Sequence, residues 1–119
     1  MKRVLLSFVL LPVLFITSCS NFSSIEKHRI GLPEQGDSVM HIFTNQSEQE
    51  LSFLHLQAGP LTRRDMRSKV YATLKDRMLA TVNDPGNPGV GIAAPQVGIS
   101  KQLIAVQRFD KDGEPFEFY

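Results

Sequence analysis

The pattern of apolar positions predicts one long amphipathic helix in the middle of the chain. Four large apolar side chains recur at intervals of four residues, at Met66, Val70, Leu74 and Met78. This spacing places them on one face of an α-helix, where they would pack in a core. Thr62 followed by Asp65 is typical of a capping box, and the proline-containing segment 83–88 cannot continue a helix. We therefore predict a helix from about Thr62 to Val82.

Shorter apolar runs predict strands on both sides of this helix. Residues 39–44 (VMHIFT) are compatible with a strand, and residues 51–56 (LSFLHL) with either a weak strand or a short helical turn. Residues 102–108 (QLIAVQR) and 116–119 (FEFY) predict two further strands. The Asp-Gly pair in segment 109–115 predicts a hairpin turn between them. Because the last strand pattern continues to the final residue, we expect the chain to be the N-terminal part of a longer domain.

The first residues have the pattern of an export signal. Met1-Lys2-Arg3 is basic and precedes an apolar run over 4–16, which is shorter than the roughly 20 residues needed to span a bilayer. Residues 16–19 (ITSC) resemble a bacterial lipobox, which implies cleavage before Cys19 and lipid attachment to its sulfur. The alternative is a buried apolar helix with an incidental cysteine. We predict that residues 1–19 are a lipoprotein signal peptide and that the protein is exported and membrane-anchored in a bacterial cell envelope.

Composition separates a polar segment from the expected folded part. Residues 20–38 are polar with scattered Ser, Gly and Pro, which favours a tether, and residues 39–119 would form the domain. Of the 119 residues, 42% are hydrophobic and 21% charged, as in an ordinary globular protein. The net charge of +1 gives no indication of nucleic-acid binding.

Residue types that commonly bind metals are sparse and poorly spaced. The histidines His28, His41 and His55 are separated by 13 and 14 residues, so no two of them share a helical turn. The only cysteine, Cys19, lies in the predicted signal and cannot form an internal disulfide. These residues therefore predict no metal site within the 119 residues.

The segment 89–96 (GVGIAAPQ) is the strongest candidate for chemistry. Glycines without a Cβ allow another backbone to approach, so a peptide could lie alongside Gly89 to Gly91 as an extra strand. The carboxamide of Gln96 can donate to a carbonyl oxygen or an oxyanion. The alternative is a tight turn followed by a plain buried strand, in which Gln96 caps a backbone group.

The order of helix, GVGIAAPQ, Val-Gly and an LIAV strand resembles the first signature of the peptide deformylases. These metallohydrolases remove the formyl group from N-formylmethionyl peptides. The resemblance implies an α+β fold, with an amphipathic helix followed by antiparallel strands. It also implies that Gln96 hydrogen-bonds the formyl oxygen or the metal-bound water and that Gly91 offers its backbone to the substrate peptide. Val90 would line the methionine pocket, and Gly89 would allow a tight approach from the helix.

The chain departs from that family after the first signature. The resemblance implies two further motifs, Glu-Gly-Cys-Leu-Ser and His-Glu-x-x-His, which would bind a divalent metal (iron or zinc); neither occurs here. We therefore expect residues 1–119 alone to be inactive and the chain to be a truncated or partial deformylase. The alternatives are a catalytically inactive, membrane-tethered lipoprotein that binds peptides or nothing, and a small surface lipoprotein unrelated to the family.

Overall fold

The computed structural model describes residues 21–31 and 38–119. The α-helices of this part are α1 (Ser24–Ile30), α2 (Glu48–Leu54), α3 (Arg63–Met66) and α4 (Lys69–Val82). The strands are β1 (Gly91–Ala93), β2 (Ile104–Gln107) and β3 (Phe116–Phe118), and a 3₁₀ helix spans Ala94–Val97. This arrangement confirms the α+β prediction, with an amphipathic helix followed by antiparallel strands.

The central helix differs from its prediction in one respect, because Ser68 divides it into α3 and α4. The Ser68 hydroxyl donates to the Asp65 carbonyl at 2.6 Å and accepts from the Tyr71 N–H at 3.1 Å. It thereby ends one helix and caps the next. The predicted capping box of Thr62 and Asp65 is present at the start of α3. The break also turns Met66 away from the apolar stripe, and its side chain is 46% exposed, so its predicted core position was wrong.

The three strands form one antiparallel sheet in the order β1-β2-β3. Ala105 in the middle strand lies opposite Ile92 on one side and Phe118 on the other. Residues 109–113 form the predicted turn, with Gly113 at a φ of 76°. Because side chains alternate across a sheet, these registers direct one face of the sheet toward α4.

The core lies between α4 and this face of the sheet. The buried apolar side chains of this layer are Leu74, Met78, Val82, Ile92, Ala94, Val97, Ile99, Leu103 and Ala105. Leu74 and Met78, one helical turn apart, have no exposed surface. The predicted stripe of the central helix is therefore the main support beneath β1 and the segment that follows it.

Residues 20–38 were predicted to be a polar tether, but the described part of this segment is folded. Residues 24–30 form α1, which Ser23 and Glu26 begin with a capping box. Phe22 and Ile30, at the two ends of this segment, are 3% and 2% exposed and belong to the core cluster. Residues 21–31 are therefore packed against the domain.

Residues 38–54 also pack against the rest of the folded chain, although only part of this segment is regular. The predicted strand at 39–44 forms no ladder among the described residues, but Met40 is buried. The segment 51–56 follows the helical alternative, since α2 begins after the N-cap Ser47.

In the part of the chain that the structure describes, no helix is both long and apolar enough to cross a membrane. The predicted signal peptide, including Cys19, lies outside the described residues. Its lipid attachment remains a prediction from the sequence.

Candidate functional site

The site is built around a sharp turn that directly follows β1. We call residues 94–98 the Gln96 turn. Pro95 lies in the first turn of the 3₁₀ helix, where its fixed φ is favourable and its missing N–H costs little. Gly98 ends the helix with a φ of 76°, a left-handed conformation that favours glycine, and its N–H donates to the Pro95 carbonyl at 3.0 Å. The turn therefore has a defined shape set by its proline and its final glycine.

Two hydrogen bonds hold Gln96 within this turn. Its side-chain Oε1 accepts from the backbone N–H of Ala93 at 2.8 Å, and its backbone carbonyl accepts from Phe43 N–H at 2.7 Å. The side chain is exposed. Since Oε1 faces a donor, the amide nitrogen Nε2 has both hydrogens available, and no described residue accepts from it. Gln96 thus presents a hydrogen-bond donor at the protein surface.

The backbone of Gly91 is directed away from the neighbouring strand. The Gln107 N–H donates to the Val90 carbonyl, and the Ala94 N–H donates to the Leu103 carbonyl, both at 2.9 Å. Because hydrogen-bonded and non-hydrogen-bonded pairs alternate along an antiparallel ladder, the Gly91–Val106 pair is of the non-hydrogen-bonded type. Among the described strands β1 lies at the edge, so the N–H and C=O of Gly91 face that open edge.

Packing inside the chain leaves little space for a Cβ at Gly89 and Gly91. A Cβ at Gly91 would lie 3.3 Å from the Ala105 carbonyl oxygen, and one at Gly89 would lie 3.1 Å from Val82 Cγ2. The Gly89 N–H also donates to the Val82 carbonyl at 2.8 Å, which ties β1 to the end of α4. Val90 between them is 59% exposed. The helix end and the start of β1 are therefore in close contact, with Val90 on the outside.

An open, mostly apolar groove of about 510 Å³ runs beside the turn. Its lining includes Ala93, Pro95, Gln102, Leu103, Ile104 and Tyr119. Ile104 and Tyr119 are 43% and 58% exposed, so the groove is accessible from solvent. The groove therefore offers mostly apolar side chains to a ligand next to Ala93 and Pro95.

A charged cluster stabilises the β2–β3 hairpin at the other end of the sheet. Arg108 contacts Asp110 through two nitrogens at 2.6 and 2.7 Å, and Glu117 through a third contact at 2.8 Å. Hydrogen bonding from Arg108 lowers the pKa of Asp110 to about 2, and hydrogen bonding from Lys111 lowers the pKa of Glu117. These charged side chains bond to one another. No pattern in the sequence identified the cluster.

The described residues do not offer a metal-binding set. No group of three or more His, Cys, Asp or Glu side chains within residues 21–31 and 38–119 is arranged to hold a metal ion. His41 instead contacts Glu50 at 2.6 Å, and this hydrogen bond lowers the pKa of Glu50. The site at Gln96 therefore consists of a donor, an open strand edge and a groove.

Comparison with known proteins agrees with this α+β fold and with the sequence of the turn. The family model for polypeptide deformylase matches residues 39–118. The chain belongs to the polypeptide deformylase family, as the resemblance at 89–96 predicted. Peptide deformylase 2 from Bacillus anthracis is 65% identical over 26 residues, which cover 22% of this chain and 14% of that protein.

Solved structures of a relative show the same partial fold. The class I type b peptide deformylase from Acinetobacter baumannii bound to K3U is 32% identical, with a TM-score of 0.55, over 67% of this chain and 50% of that one. Its complex with Met-Ala-Ser is 34% identical, with a TM-score of 0.51, over 65% of this chain and 45% of that one. The chain thus spans about half the length of these solved relatives and matches a smaller share of the curated ones.

Proposed function

We propose that this chain forms the substrate-binding part of a peptide deformylase that removes the formyl group from N-formylmethionyl peptides. The observation that carries the proposal is the bond between Gln96 Oε1 and Ala93 N–H, which leaves Nε2 as an exposed donor beside the strand edge. In this role Nε2 donates to the formyl oxygen, which becomes negatively charged when the formamide bond is attacked. A donor placed for that charge accelerates acyl-transfer chemistry by roughly 10²–10³-fold.

The substrate peptide would bind as an additional strand along β1. The outward N–H and C=O of Gly91 supply one pair of backbone hydrogen bonds, and the exposed Val90 would contact the methionine side chain. Addition of a strand to a sheet edge orients a peptide without requiring a particular sequence. The likeness to a deformylase solved with the peptide Met-Ala-Ser supports a peptide ligand here.

The hydrolytic centre would come from residues that these 119 do not include. The described part of the chain has no set of side chains suited to a divalent metal, and the two ligand motifs that the resemblance implies are missing from the sequence. We therefore assign binding and orientation of the formyl group to this segment. We expect turnover only from a polypeptide that also carries the ligands, and an inactive tethered protein is the alternative outcome.

Gln96→Ala in the longest natural polypeptide containing this segment tests the proposal. Release of formate from a formyl-Met peptide should fall by about 10²-fold or more, because the donor to the oxyanion is lost. Gln46→Ala is a matched control, since Gln46 is an exposed glutamine in a loop before α2. Equal rates for the Gln96→Ala protein and its parent would overturn the role of Gln96.

A further inference from the structure

Residues 21–31 lie outside the family match, yet they contact the chain immediately after Gln96. We call residues 21–31 the N-terminal brace. The matched region begins at residue 39, so the brace is an addition to the part that the family model describes. Three of its hydrogen bonds reach Gly98, Ser100 and Lys101, at the end of the Gln96 turn and just after it, and others join it to Asp65 and Arg77.

Three side chains make the contacts with residues 98–101. Arg29 Nη1 donates to the Gly98 carbonyl at 2.6 Å, and Glu26 Oε1 accepts from the Ser100 N–H at 3.0 Å. From the other side, Lys101 Nζ donates to the carbonyl of Asn21 at 3.0 Å. Each bond links a charged side chain to a backbone group, and such bonds are stronger than bonds between neutral groups.

Arg29 is itself held in one position. Its guanidinium carbon lies 5.3 Å from the ring centroids of both Phe43 and Phe53, so cation–π contacts add to its hydrogen bond. Phe43 also donates its N–H to the Gln96 carbonyl, and a Cβ at Gly98 would lie 2.8 Å from Phe43 Cζ. Arg29 and Phe43 thus secure the carbonyls of Gln96 and Gly98, on both sides of Val97.

Buried charged groups fasten the start of the brace. Asp65 has no exposed surface, and its Oδ1 accepts from the Asn21 N–H at 2.6 Å. Burial acts to raise the pKa of Asp65, but the hydrogen bonds from Thr62 and Asn21 outweigh it and leave the pKa below its usual value. Lys101 is 8% exposed and lies 5.4 Å from the ring of Phe22. Release of the brace would remove the bonds that Asn21 makes to Asp65 and Lys101, although Thr62 would still donate to Asp65, and the loss of a partner is costly for buried charges.

We propose that the N-terminal brace positions the Gln96 turn and that Arg29 is a positioning residue for Gln96. This inference rests on the proposed function, because it concerns how the donor is held for the formyl group. Catalytic groups must be held within about 0.5 Å, and a displacement of about 1 Å can cost on the order of 10²-fold in rate. Arg29 acts through the Gly98 carbonyl and the Phe43 ring and does not itself contact the substrate.

The kinetic test uses Arg29→Ala and Arg29→Lys in the longest natural polypeptide. Arg29→Ala should lower kcat by about 10-fold, which is less than the loss expected for complete removal of the Gln96 donor. Arg29→Lys should restore part of this loss, because it keeps a cation but lacks the planar group. Ile25→Ala, on the same helix and 66% exposed, should have no effect.

A double substitution separates positioning from general stability. If Arg29 acts through Gln96, adding Arg29→Ala to Gln96→Ala should cause no further loss of kcat. A further 10-fold loss would overturn the proposal. Ile30→Ala, which truncates a buried apolar side chain of α1, controls for destabilisation of that helix. If Ile30→Ala and Arg29→Ala reduced the free energy of unfolding equally and also lowered kcat equally, the proposal would be overturned as well.

Nuclear magnetic resonance provides a readout that does not depend on turnover. Arg29→Ala should shift the side-chain amide signals of Gln96 and speed hydrogen exchange at the Ala93 N–H, whereas Ile25→Ala should change neither. If the parent protein releases no formate, the proposed function fails while these signals still test the brace. Unchanged Gln96 and Ala93 signals in the Arg29→Ala protein would overturn the positioning role.

Discussion

Gln96 Oε1 and the backbone nitrogen of Ala93 are 2.8 Å apart, so the residue that ends β1 orients the carboxamide three positions later. This short-range bond determines which end of the amide faces solvent. The oxygen is occupied by the Ala93 N–H, and the nitrogen remains to donate. The proposed chemistry depends on this orientation more than on the presence of a glutamine.

Gln96→Glu tests the orientation with almost no change in size. A glutamate carboxylate would still accept from Ala93 N–H, so the free energy of unfolding should change little. It would offer no hydrogen to the formyl oxygen and would place a negative charge beside the developing oxyanion. We expect formate release to fall by at least about 10²-fold, as for loss of an oxyanion donor. Gln46→Glu is the control for an added carboxylate, and activity retained by Gln96→Glu would refute a donor role.

Gly98→Ala should destabilise the protein more than Gly113→Ala. Both glycines have a φ of 76°, so alanine at either position costs about 1 kcal/mol in backbone strain. At Gly98 the new Cβ would also lie 2.8 Å from Phe43 Cζ, whereas at Gly113 no atom lies within 4 Å. Overpacking of this kind adds roughly 1–3 kcal/mol. Urea unfolding of the two variants measures the difference, and equal losses would show that the Phe43 ring does not obstruct a side chain at position 98.

The buried carboxylate of Asp65 predicts a specific acid sensitivity. Its pKa is lower in the folded protein than the usual value of 3.8. Its stabilising contribution is therefore complete above about pH 4 and is lost as the pH falls through the folded-state pKa. Asp65→Asn should lower stability at neutral pH and flatten the fall in unfolding free energy below pH 4. Asp112→Asn, in the exposed hairpin turn, is the control. If the free energy of unfolding of Asp65→Asn fell below pH 4 as steeply as that of the parent, Asp65 would not be the source of the acid sensitivity.

Lipid attachment at Cys19 is a separate prediction from the sequence. If the ITSC segment is a lipobox, the natural protein should fractionate with membranes, and its N-terminal peptide should carry the mass of a lipid on cysteine. Cys19→Ala should abolish both results. Ser18→Ala keeps a small residue before the cysteine and is the control. Recovery of an unmodified Cys19 peptide from membranes would show that another segment anchors the chain.

Local patterns in the sequence predicted the elements whose stabilising contacts are close in sequence. The four-residue apolar spacing identified α4, and the Asp-Gly pair identified the turn before β3. The break at Ser68 was missed because a serine is compatible with a helix interior as well as with a cap. The GVGIAAPQ order indicated the family, although Val82 and Ala105 leave little space for a side chain at its two glycines.

The N-terminal brace could not be predicted because its contacts are distant in sequence. Arg29 and its acceptor Gly98 are 69 positions apart, and Asn21 and Asp65 are 44 apart. A seven-residue helix with mostly polar residues has no periodic apolar signal strong enough to distinguish it from a tether. Only the fold brings these residues to the Gln96 turn.

A structure of the longest natural polypeptide in complex with a formyl-Met-Ala-Ser peptide would test the central claim most directly. We predict hydrogen bonds of about 2.9 Å between the peptide backbone and the N–H and C=O of Gly91. Gln96 Nε2 should lie at the same distance from the formyl oxygen. A peptide bound elsewhere, with the β1 edge covered by other parts of the protein, would contradict the proposed binding mode.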